Sequence, residues 1–390
     1  MGYEGFIFTQ ITKYISYYDF DRCVDRYNGN WRIRQFSCRD QFLAMMFGQL
    51  CNRKSLRDLI ISLNAHTEKH YKLGFRANIQ LSTLARANEN RDYRIYEDLS
   101  KIIISKARQL YLNDADFPFT INGNLYLIDS STIDLCLTMF KWATFRTTKS
   151  AIKMHTQIDG RGILPALTVI TNASVHDTVF LDSLIYEIGA YYVLDRGYLD
   201  YLRLHRIHEE KAFFIVRAKS NMAFKRLYSR PVDKSTGLRA DQVIRFTSHY
   251  SRKRYSDMLR RIKYYDKETD VHYIFLTNDM NTDALVIAQM YKYRWRIELF
   301  FKWIKQHLKI ISFWGRSANA VKVQIYIAIC TYGIILIMRK DLKIEMDAYQ
   351  MLQILSISLF EQTPIQSLFS KDHLQLSDVD ISEQLTLLHP

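Results

Sequence analysis

Several features that mark secreted, zinc-binding and membrane proteins are scarce in this sequence. Its 390 residues include five cysteines, with no CxxC pair and no histidine cluster at zinc-ligand spacing. We therefore expect reduced, mostly buried thiols in a cytoplasmic protein. The amino terminus lacks a basic region followed by an apolar run and a cleavage site, so we expect no signal peptide.

Long apolar runs are also scarce. The segment from Val323 to Met338 is strongly apolar, but it is shorter than the ~20 residues that span a bilayer. It also contains Gln324 and Thr331. We therefore expect a buried core helix here rather than a membrane span.

Acidic residues are outnumbered, with 54 lysines and arginines against 40 aspartates and glutamates, a net charge of +14 and a pI near 9.4. Such an excess favours a polyanionic partner, either nucleic acid or an anionic membrane surface. A merely basic protein without such a partner is the alternative. Because 48% of the residues are hydrophobic and 14% aromatic, the chain can bury a large core.

The first 115 or so residues have the apolar spacing of helices and are predicted to form a helical N-terminal domain, 1–115, that binds DNA. One helix is predicted at 56–64 and another from about Ser82. The second would expose Thr83, Arg86 and Asn88, and the pair could form a helix-turn-helix-like reader of DNA. An ordinary helical bundle is the alternative.

From residue 121 the period becomes that of strands. One strand ends at Asp129, a hairpin turn is predicted at 159–162, and a further strand ends at Asp195. A helix and another strand follow. This order predicts an α/β fold with an RNase H-like catalytic core, 120–216 and 270–312. Residues 313–390 are predicted to be a C-terminal helical region with a polar tail.

Between the two parts of that core lies a strongly basic block, within a predicted basic β insertion at 217–269. Residues 217–263 contain fourteen lysines and arginines against three aspartates, a net charge of +11, with tyrosines interleaved. This concentration is typical of a surface that follows a DNA backbone, whereas no amphipathic stripe favours a membrane. The predicted DNA contacts are Arg252, Lys253, Arg254, Arg260 and Arg261.

Two acidic residues and one helical stripe carry the candidate chemistry. Asp129 and Asp195 each end a short apolar strand, where neighbouring strands would bring both carboxylates to one Mg²⁺ ion. Tyr291, Arg294, Glu298 and Lys305 follow at intervals of three, four and seven residues, which places them on one face of a predicted helix over about 282–310. A surface ion pair between Arg294 and Glu298 is the alternative.

Together these segments resemble the transposases of the insertion sequence 4 family. The helical stripe is similar to that family's Tyr-Arg-Glu-Lys signature, Ile128-Asp129-Ser130 resembles its first aspartate region, and residues 194–198 resemble its second. The resemblance covers roughly residues 120–340. It implies an RNase H-like core interrupted by a mainly β insertion.

The resemblance further implies a function and a site. Asp129, Asp195 and Glu298 would be the catalytic metal ligands for two Mg²⁺ ions, with Mn²⁺ as a substitute. Tyr291, Arg294 and Lys305 would contact DNA phosphates. The expected partners are double-stranded DNA, as terminal repeats and target, and a second copy of the chain in a dimer. Some members use a tryptophan of the insertion to hold a flipped base, and residues 217–263 contain none.

Other polar residues have simpler predicted roles. Asp177 is predicted to cap a helix, His155 to pack or to contact phosphate, and Asp134 to lie on the opposite strand face from Asp129. Trp295 could stack on a base or be buried. Two other functions stay open at this point: an RNase H-like endonuclease or resolvase without strand transfer, and a non-catalytic DNA-binding protein.

Overall fold

The computed structural model describes residues 5–76, 78–113, 116–219, 222–308, 310 and 313–369. The α-helices are α1 (Ile7–Thr12), α2 (Tyr17–Arg26), α3 (Cys38–Leu50), α4 (Leu56–Asn64), α5 (Leu81–Asn90), α6 (Arg94–Leu110), α7 (Tyr201–Glu209), α8 (His249–Arg254), α9 (Ala284–Tyr293), α10 (Arg296–His307), α11 (Ala318–Asp341) and α12 (Ala348–Ser358). The strands are β1 (Leu125–Leu135), β2 (Thr144–Arg146), β3 (Lys149–Asp159), β4 (Leu164–Asn172), β5 (Tyr191–Leu194), β6 (Phe213–Arg217), β7 (Phe224–Arg230), β8 (Leu238–Phe246), β9 (Leu259–Asp266) and β10 (Val271–Thr277). The predicted polar tail at 370–390 lies outside the described residues.

A single mixed sheet organises the catalytic part of the chain. Strands β4, β3 and β1 are antiparallel neighbours, and β5 and β6 continue the sheet in parallel with β1. This order, with α7 joining β5 to β6, is the RNase H-like arrangement, so the predicted fold class is confirmed. The insertion does not form a separate body, because β10 pairs with β6, and β9, β8 and β7 extend the same sheet.

The strands of the core bury both faces of the sheet. In β1, Leu125 and Leu127 face the large core shared with the helices, whereas Tyr126 and Ile128 face a second core under α7. This alternation follows from the two-residue period of a strand. Both faces are largely apolar because helices or loops cover each of them, so a polar residue within a strand needs a partner.

The N-terminal and C-terminal helices form one helical unit. Helix α11 packs along α6, α3 and α5 and also reaches β4. The backbone amides of Ile7 and Phe8 donate to the carbonyls of Glu361 and Leu359, at 2.9 and 3.1 Å. Helix α11 is long and apolar enough to cross a membrane, but 94% of its apolar window is buried inside the protein. The predicted core helix is therefore confirmed, although it is longer than the apolar run suggested.

The predicted reader helices are separated too widely for a simple helix-turn-helix. Helix α4 ends at Asn64 and α5 begins at Leu81, whereas that motif joins its helices by a turn of three or four residues. Thr83 is half-buried and Arg86 exposed, as predicted for a surface. Asn88 corrects the prediction, because it is buried and its Oδ1 accepts from Gln41 Nε2 at 2.7 Å.

Candidate active site

The register of the parallel strands places two carboxylates side by side. Ile128 of β1 pairs with Leu194 of β5, so the next residues, Asp129 and Asp195, lie side by side where this parallel pairing stops. The predicted strand end at Asp129 is wrong, because β1 continues to Leu135 and Asp129 pairs with Thr156 of β3. Strand β5 ends at Leu194, and a short 3₁₀ turn at Arg196–Tyr198 follows at once. Both aspartates are thus held by the backbone of a buried sheet while their side chains reach partly into solvent.

Glu298 approaches these two aspartates from a broken helix. The predicted helix over 282–310 is observed as α9 and α10, which are separated at Arg294 and Trp295. Around the break, Trp295, Ile297 and Glu298 each donate to the carbonyl three residues earlier, which is 3₁₀ bonding. Tightened segments of this kind within a helix often lie at functional sites. Glu298 is in the first turn of α10, beside β1.

The guanidinium of Arg294 connects all three acidic residues. Its Nη1 lies 2.5 Å from Asp129 Oδ2, and its Nη2 lies 3.8 Å from Asp195 Oδ1 and 3.7 Å from Glu298 Oε1. The alternative of a surface ion pair is wrong, because Arg294 is buried and its contact with Glu298 is longer than its contact with Asp129. The Arg294 side chain is only 6% exposed, and its Nε has no hydrogen-bond partner among the described residues.

Tyr291 and Lys305 lie on either side of these carboxylates. The Tyr291 hydroxyl donates to Asp195 Oδ1 at 3.2 Å, and burial raises the pKa of this phenol so that it stays a donor. Because Tyr291 is only 3% exposed, its hydroxyl orients Asp195 rather than lying on an open surface. Lys305 Nζ donates to the Thr132 carbonyl at 2.8 Å and faces Asp134, which is exposed on β1.

The charge balance of the site suits a bound cation. Burial raises the pKa of Asp129 to about 6, although Arg294 opposes that shift, and Asp195 and Glu298 add to it. Carboxylate oxygens are the ligands that Mg²⁺ prefers. In the described parts of the chain, no three acidic, histidine or cysteine side chains are grouped closely enough to hold a metal as they stand. The donor set fits a divalent ion, provided that Arg294 gives up its place between the carboxylates.

A second polar network supports the two aspartates, and the sequence had not indicated it. Asp177 Oδ1 accepts from Ser130 Oγ at 2.7 Å and lies 3.0 Å from Lys153 Nζ. Burial tends to raise the pKa of Asp177, but the hydrogen bonds from Ser130 and Lys153 hold it below its usual range. A Cβ added to Gly197 would lie 3.6 Å from Asp177 Oδ2. Asp177 therefore connects the residue after Asp129 to Lys153 of β3 and lies near the turn after Asp195.

Two predictions about this neighbourhood are settled by the contacts. His176, not Asp177, caps the short 3₁₀ helix at Asp177–Ser183, so the predicted capping role of Asp177 is wrong. His155 packs, as predicted: it is 1% exposed and stacks on Phe180. The sequence signal that could have found the Asp177 network was Lys153, a charge between apolar residues of β3 that needs a partner.

The basic insertion divides into an exposed and a buried part. Arg252 and Lys253 are exposed on α8, and Arg254 is half-buried over the ring of Tyr250. Arg260 and Arg261 lie on β9 and are 3% and 7% exposed, which corrects their predicted place on the DNA surface.

The reason is the position of β9 between β8 and β10, where both of its faces are covered. Arg260 forms a two-bond ion pair with Asp241, and Arg261 donates to Gln242 Oε1 at 2.9 Å. Both guanidiniums point into the protein and cannot lie on a DNA-contacting surface.

Trp295 is 54% exposed at the helix break, so the alternative of a buried indole is excluded. Its neighbour on the next turn, Leu299, is 61% exposed. An aromatic ring and an aliphatic chain thus stand in solvent directly beside Arg294 and Glu298.

Two family models match the sequence. A transposase DDE domain matches residues 122–334, which include the two aspartates, the insertion and the broken helix. A domain of unknown function, DUF4372, matches residues 5–76 in the helical N-terminal region.

Named relatives give the same family. A Sinorhizobium fredii protein that bears the name transposase y4zB is 36% identical over 246 residues, 62% of this chain and 68% of that protein. The probable transposase for insertion sequence element IS5377 of Geobacillus stearothermophilus is 28% identical over 64% of this chain and 65% of its own. A Synechocystis protein named for insertion sequence element IS4SA is 24% identical over 81% and 87% of the two chains.

Among solved structures, the piggyBac transposase in a synaptic complex with hairpin DNA is similar at a TM-score of 0.46 and 10% identity, over 100% of this chain and 86% of that one. The family rests on the sequence matches, which agree with the resemblance to the insertion sequence 4 family. This chain belongs to the DDE-domain transposases of insertion sequences.

Proposed function

We propose that this chain binds the terminal repeats of its element and catalyses metal-dependent DNA cleavage and strand transfer. Asp129, Asp195 and Glu298 are the proposed metal ligands. The observation that carries the proposal is the meeting of these three distant side chains around the single guanidinium of Arg294. Two Mg²⁺ ions, or Mn²⁺ in their place, would activate the attacking oxygen and stabilise the leaving one.

The chain's own residues would hold the reactants in place. Asp129 has a fixed backbone within β1 and Asp195 directly follows β5. The Tyr291 hydroxyl would orient Asp195, and Asp177 would hold the backbone beside Asp129 through its hydrogen bond with Ser130. Once its carboxylate partners are neutralised by metal, Arg294 is free to pair with a DNA phosphate, for which guanidinium is well suited. No covalent enzyme intermediate is needed, because water or a DNA 3′-hydroxyl serves as the nucleophile.

The DNA would run past the site on surfaces that are polar, basic and aromatic. Arg252 and Lys253 of α8 supply exposed positive charge, and Lys305 stands at the far side of the carboxylates. Trp295 is placed to stack on a base or ribose next to the cut. Two copies of the chain, each holding one end of the element, would form the active dimer.

The test is a product analysis on the full chain. The protein is incubated with duplexes that carry its flanking terminal repeats, with Mg²⁺ and with EDTA as the control, and products are resolved on a denaturing gel. We expect metal-dependent nicks at the repeat ends and joined products with target DNA. Nicks without joining would favour the endonuclease or resolvase, and binding without nicks would favour a non-catalytic DNA-binding protein.

A further inference from the structure

The turn that follows Asp195 ends at a buried tyrosine that the proposed function does not use. Tyr198 closes the 3₁₀ turn at Arg196–Tyr198, and its backbone amide donates to the carbonyl of Asp195 at 3.0 Å. The residue is 1% exposed and belongs to the second core under α7. That core also contains Ile128 and Leu194, so the ring of Tyr198 packs in the same core as the residues that precede the two aspartates.

The hydroxyl of Tyr198 is buried without a hydrogen-bond partner among the described residues. Ser130 lies close to it, but Ser130 Oγ donates to Asp177 Oδ1 at 2.7 Å. Buried hydroxyls normally have partners, since one without a partner lowers the stability of the fold. The unpartnered phenol therefore indicates a hydrogen bond that forms in another state of the site.

Three carboxylates contribute to the charge around this phenol. Burial raises the pKa of Tyr198, and three carboxylates raise it further, in the order Asp129, Asp177 and Asp195. The hydroxyl thus stays protonated and can donate to whichever of these carboxylates loses a donor. Asp177 has its own donors, and Asp195 accepts from Tyr291 Oη at 3.2 Å. Asp129 is the remaining acceptor.

Asp129 is also the carboxylate whose donors would change most when a metal ion binds. In this structure it pairs with Arg294 Nη1, and its Oδ1 accepts from the Ser130 amide at 2.8 Å. A divalent ion at this position would repel Arg294, and Asp129 would then lose the side-chain donor that it has here. A phenol can replace the guanidinium without adding positive charge, so the carboxylate keeps its full charge for the metal.

We infer that Tyr198 is a positioning residue of the catalytic site, whose hydroxyl donates to the Asp129 carboxylate when that carboxylate binds a metal ion. The inference rests on the proposed function, because it takes Asp129 as a metal ligand. Each of the two aspartates then has its own buried tyrosine, Tyr198 for Asp129 and Tyr291 for Asp195. The two differ because Tyr291 already has its hydrogen bond, whereas Tyr198 gains one with the metal.

The test uses Tyr198→Phe, which removes the hydroxyl and keeps the buried ring. Calorimetric titration of the full chain without DNA gives the affinity for Mn²⁺, and thermal melts in EDTA and at one fixed Mn²⁺ concentration give the stability of the fold. We expect about tenfold weaker Mn²⁺ binding, because the partners of metal ligands typically have effects of this size. In EDTA the melting temperature should be unchanged or higher, because the hydroxyl has no hydrogen bond to lose. The rise in melting temperature that Mn²⁺ causes should be smaller than in wild type.

The matched control is Tyr186→Phe, which changes a phenol of the same core that donates to the Leu181 carbonyl at 2.8 Å. This variant should melt at a lower temperature in EDTA, because a buried carbonyl loses its donor, and its Mn²⁺ affinity should stay within about twofold of wild type. The Mn²⁺ concentration for half-maximal cleavage of a terminal-repeat duplex is the second measure of affinity. It should rise about tenfold for Tyr198→Phe and stay the same for the control. If wild type binds Mn²⁺ only together with DNA, this concentration decides in place of calorimetry.

Two kinds of failure can be told apart. If wild type binds Mn²⁺ and Tyr198→Phe binds it equally tightly, the hydroxyl has no part in metal binding. If Tyr198→Phe melts at a lower temperature in EDTA, the hydroxyl has a partner without metal. In both cases the inference is wrong and the proposed function stands. If wild type neither binds Mn²⁺ nor cleaves terminal repeats with it, the proposed function fails and the inference fails with it.

Discussion

Two buried arginines in this protein have opposite surroundings. Arg260 is paired with a single carboxylate, Asp241, through bonds of 2.8 and 2.7 Å, and both side chains are almost fully buried. Arg294 is equally buried but faces three carboxylates, of which two are about 40% exposed and stand at 3.7 and 3.8 Å. The first arrangement is a closed structural pair, whereas the second is open on one side and holds more negative charge than its arginine can neutralise.

The difference shows how a buried charge can be assigned a role. A closed pair satisfies its own hydrogen bonds and contributes to the fold. An excess of carboxylates around one cation leaves negative charge that a further cation can neutralise. Such an excess lowers the stability of the fold and is therefore typical of functional sites. The contrast leads to five predictions, in order of expected effect.

The largest effect, on DNA cleavage, is expected from substitutions of the three carboxylates around Arg294. Asp129→Asn, Asp195→Asn and Glu298→Gln should each lower metal-dependent DNA cleavage about 10³-fold or more, because each removes the charge of a proposed metal ligand. Binding to the terminal repeat in EDTA should change by less than about threefold. Gel assays of nicking and joining measure the first quantity and anisotropy the second; the control is Asp134→Asn, an exposed acid on the same strand. Normal cleavage by any one of the three variants would remove that residue from the site.

Substitutions in the Arg260–Asp241 pair should change the stability of the fold. Arg260→Met leaves Asp241 buried and uncompensated, so we expect the free energy of unfolding to fall by about 3 to 5 kcal/mol. The double variant Arg260→Met/Asp241→Leu should recover most of that loss, because no charge stays unpaired. Urea unfolding measures both. Equal losses in the single and double variants would mean that the ion pair itself stabilises the fold and that the unpaired charge of Asp241 costs little.

Part of this contrast could be predicted from sequence. The carboxylates around Arg294 could be predicted, whereas the Arg260–Asp241 pair could not. Asp129 and Asp195 each follow a short apolar run, although β1 continues beyond Asp129, and the Tyr-Arg-Glu-Lys spacing predicts the helix face that carries Glu298. The RNase H-like order follows from the same strand pattern. The break at Arg294 and Trp295 could not be predicted, because the segment contains neither glycine nor proline and its spacing continues unbroken.

The burial of the Arg260–Asp241 pair could not be predicted from composition. A count of charges over 217–263 treats Arg260 like Lys253, since it carries no information about which strand lies in the middle of a sheet. Long-range pairing of β9 with β8 and β10 decides the burial, and only the fold provides it. The Ser130–Asp177–Lys153 network was missed for a similar reason, because its members come from three separate segments.

A third prediction concerns the pH dependence of the free energy of unfolding, through the buried His155 beside the Ser130–Asp177–Lys153 network. Burial lowers the pKa of His155 to about 4. Between about pH 6.5 and pH 4 this ring is therefore protonated in the unfolded chain but neutral in the folded protein. Stability contributed by the neutral ring is therefore complete above about pH 6.5 and is lost progressively down to about pH 4. At pH 5 the loss should reach about 2 kcal/mol.

His155→Gln should remove that part of the pH dependence. Urea unfolding at pH 7.5 and pH 5 compares the variant with wild type and with His66→Gln, whose ring is partly exposed. An unchanged difference between the two pH values in His155→Gln would show that this ring is not the group that titrates.

The fourth prediction tests whether Arg294 and a metal compete for the same carboxylates. Arg294→Gln should bind Mn²⁺ about tenfold more tightly, a change of about 1.4 kcal/mol, since no fixed cation then occupies the space between the acids. Calorimetric titration of the DNA-free protein gives the affinity directly. Arg296→Gln, which changes an exposed arginine at the start of α10, is the control. Weaker Mn²⁺ binding by Arg294→Gln would mean that the arginine holds the ligands in place and does not compete.

The smallest effect is expected on the exposed half of the insertion. Lys253→Ala should weaken binding to duplex DNA by about threefold and reduce the salt slope by about one, regardless of sequence, because a lysine on α8 contacts at most one phosphate. Lys267→Ala, an exposed lysine beyond β9, is the matched control. Anisotropy in EDTA over a salt series measures both variants. If Lys267→Ala reduces the slope as much as Lys253→Ala does, the charge of the insertion acts as a diffuse field and α8 makes no particular contact.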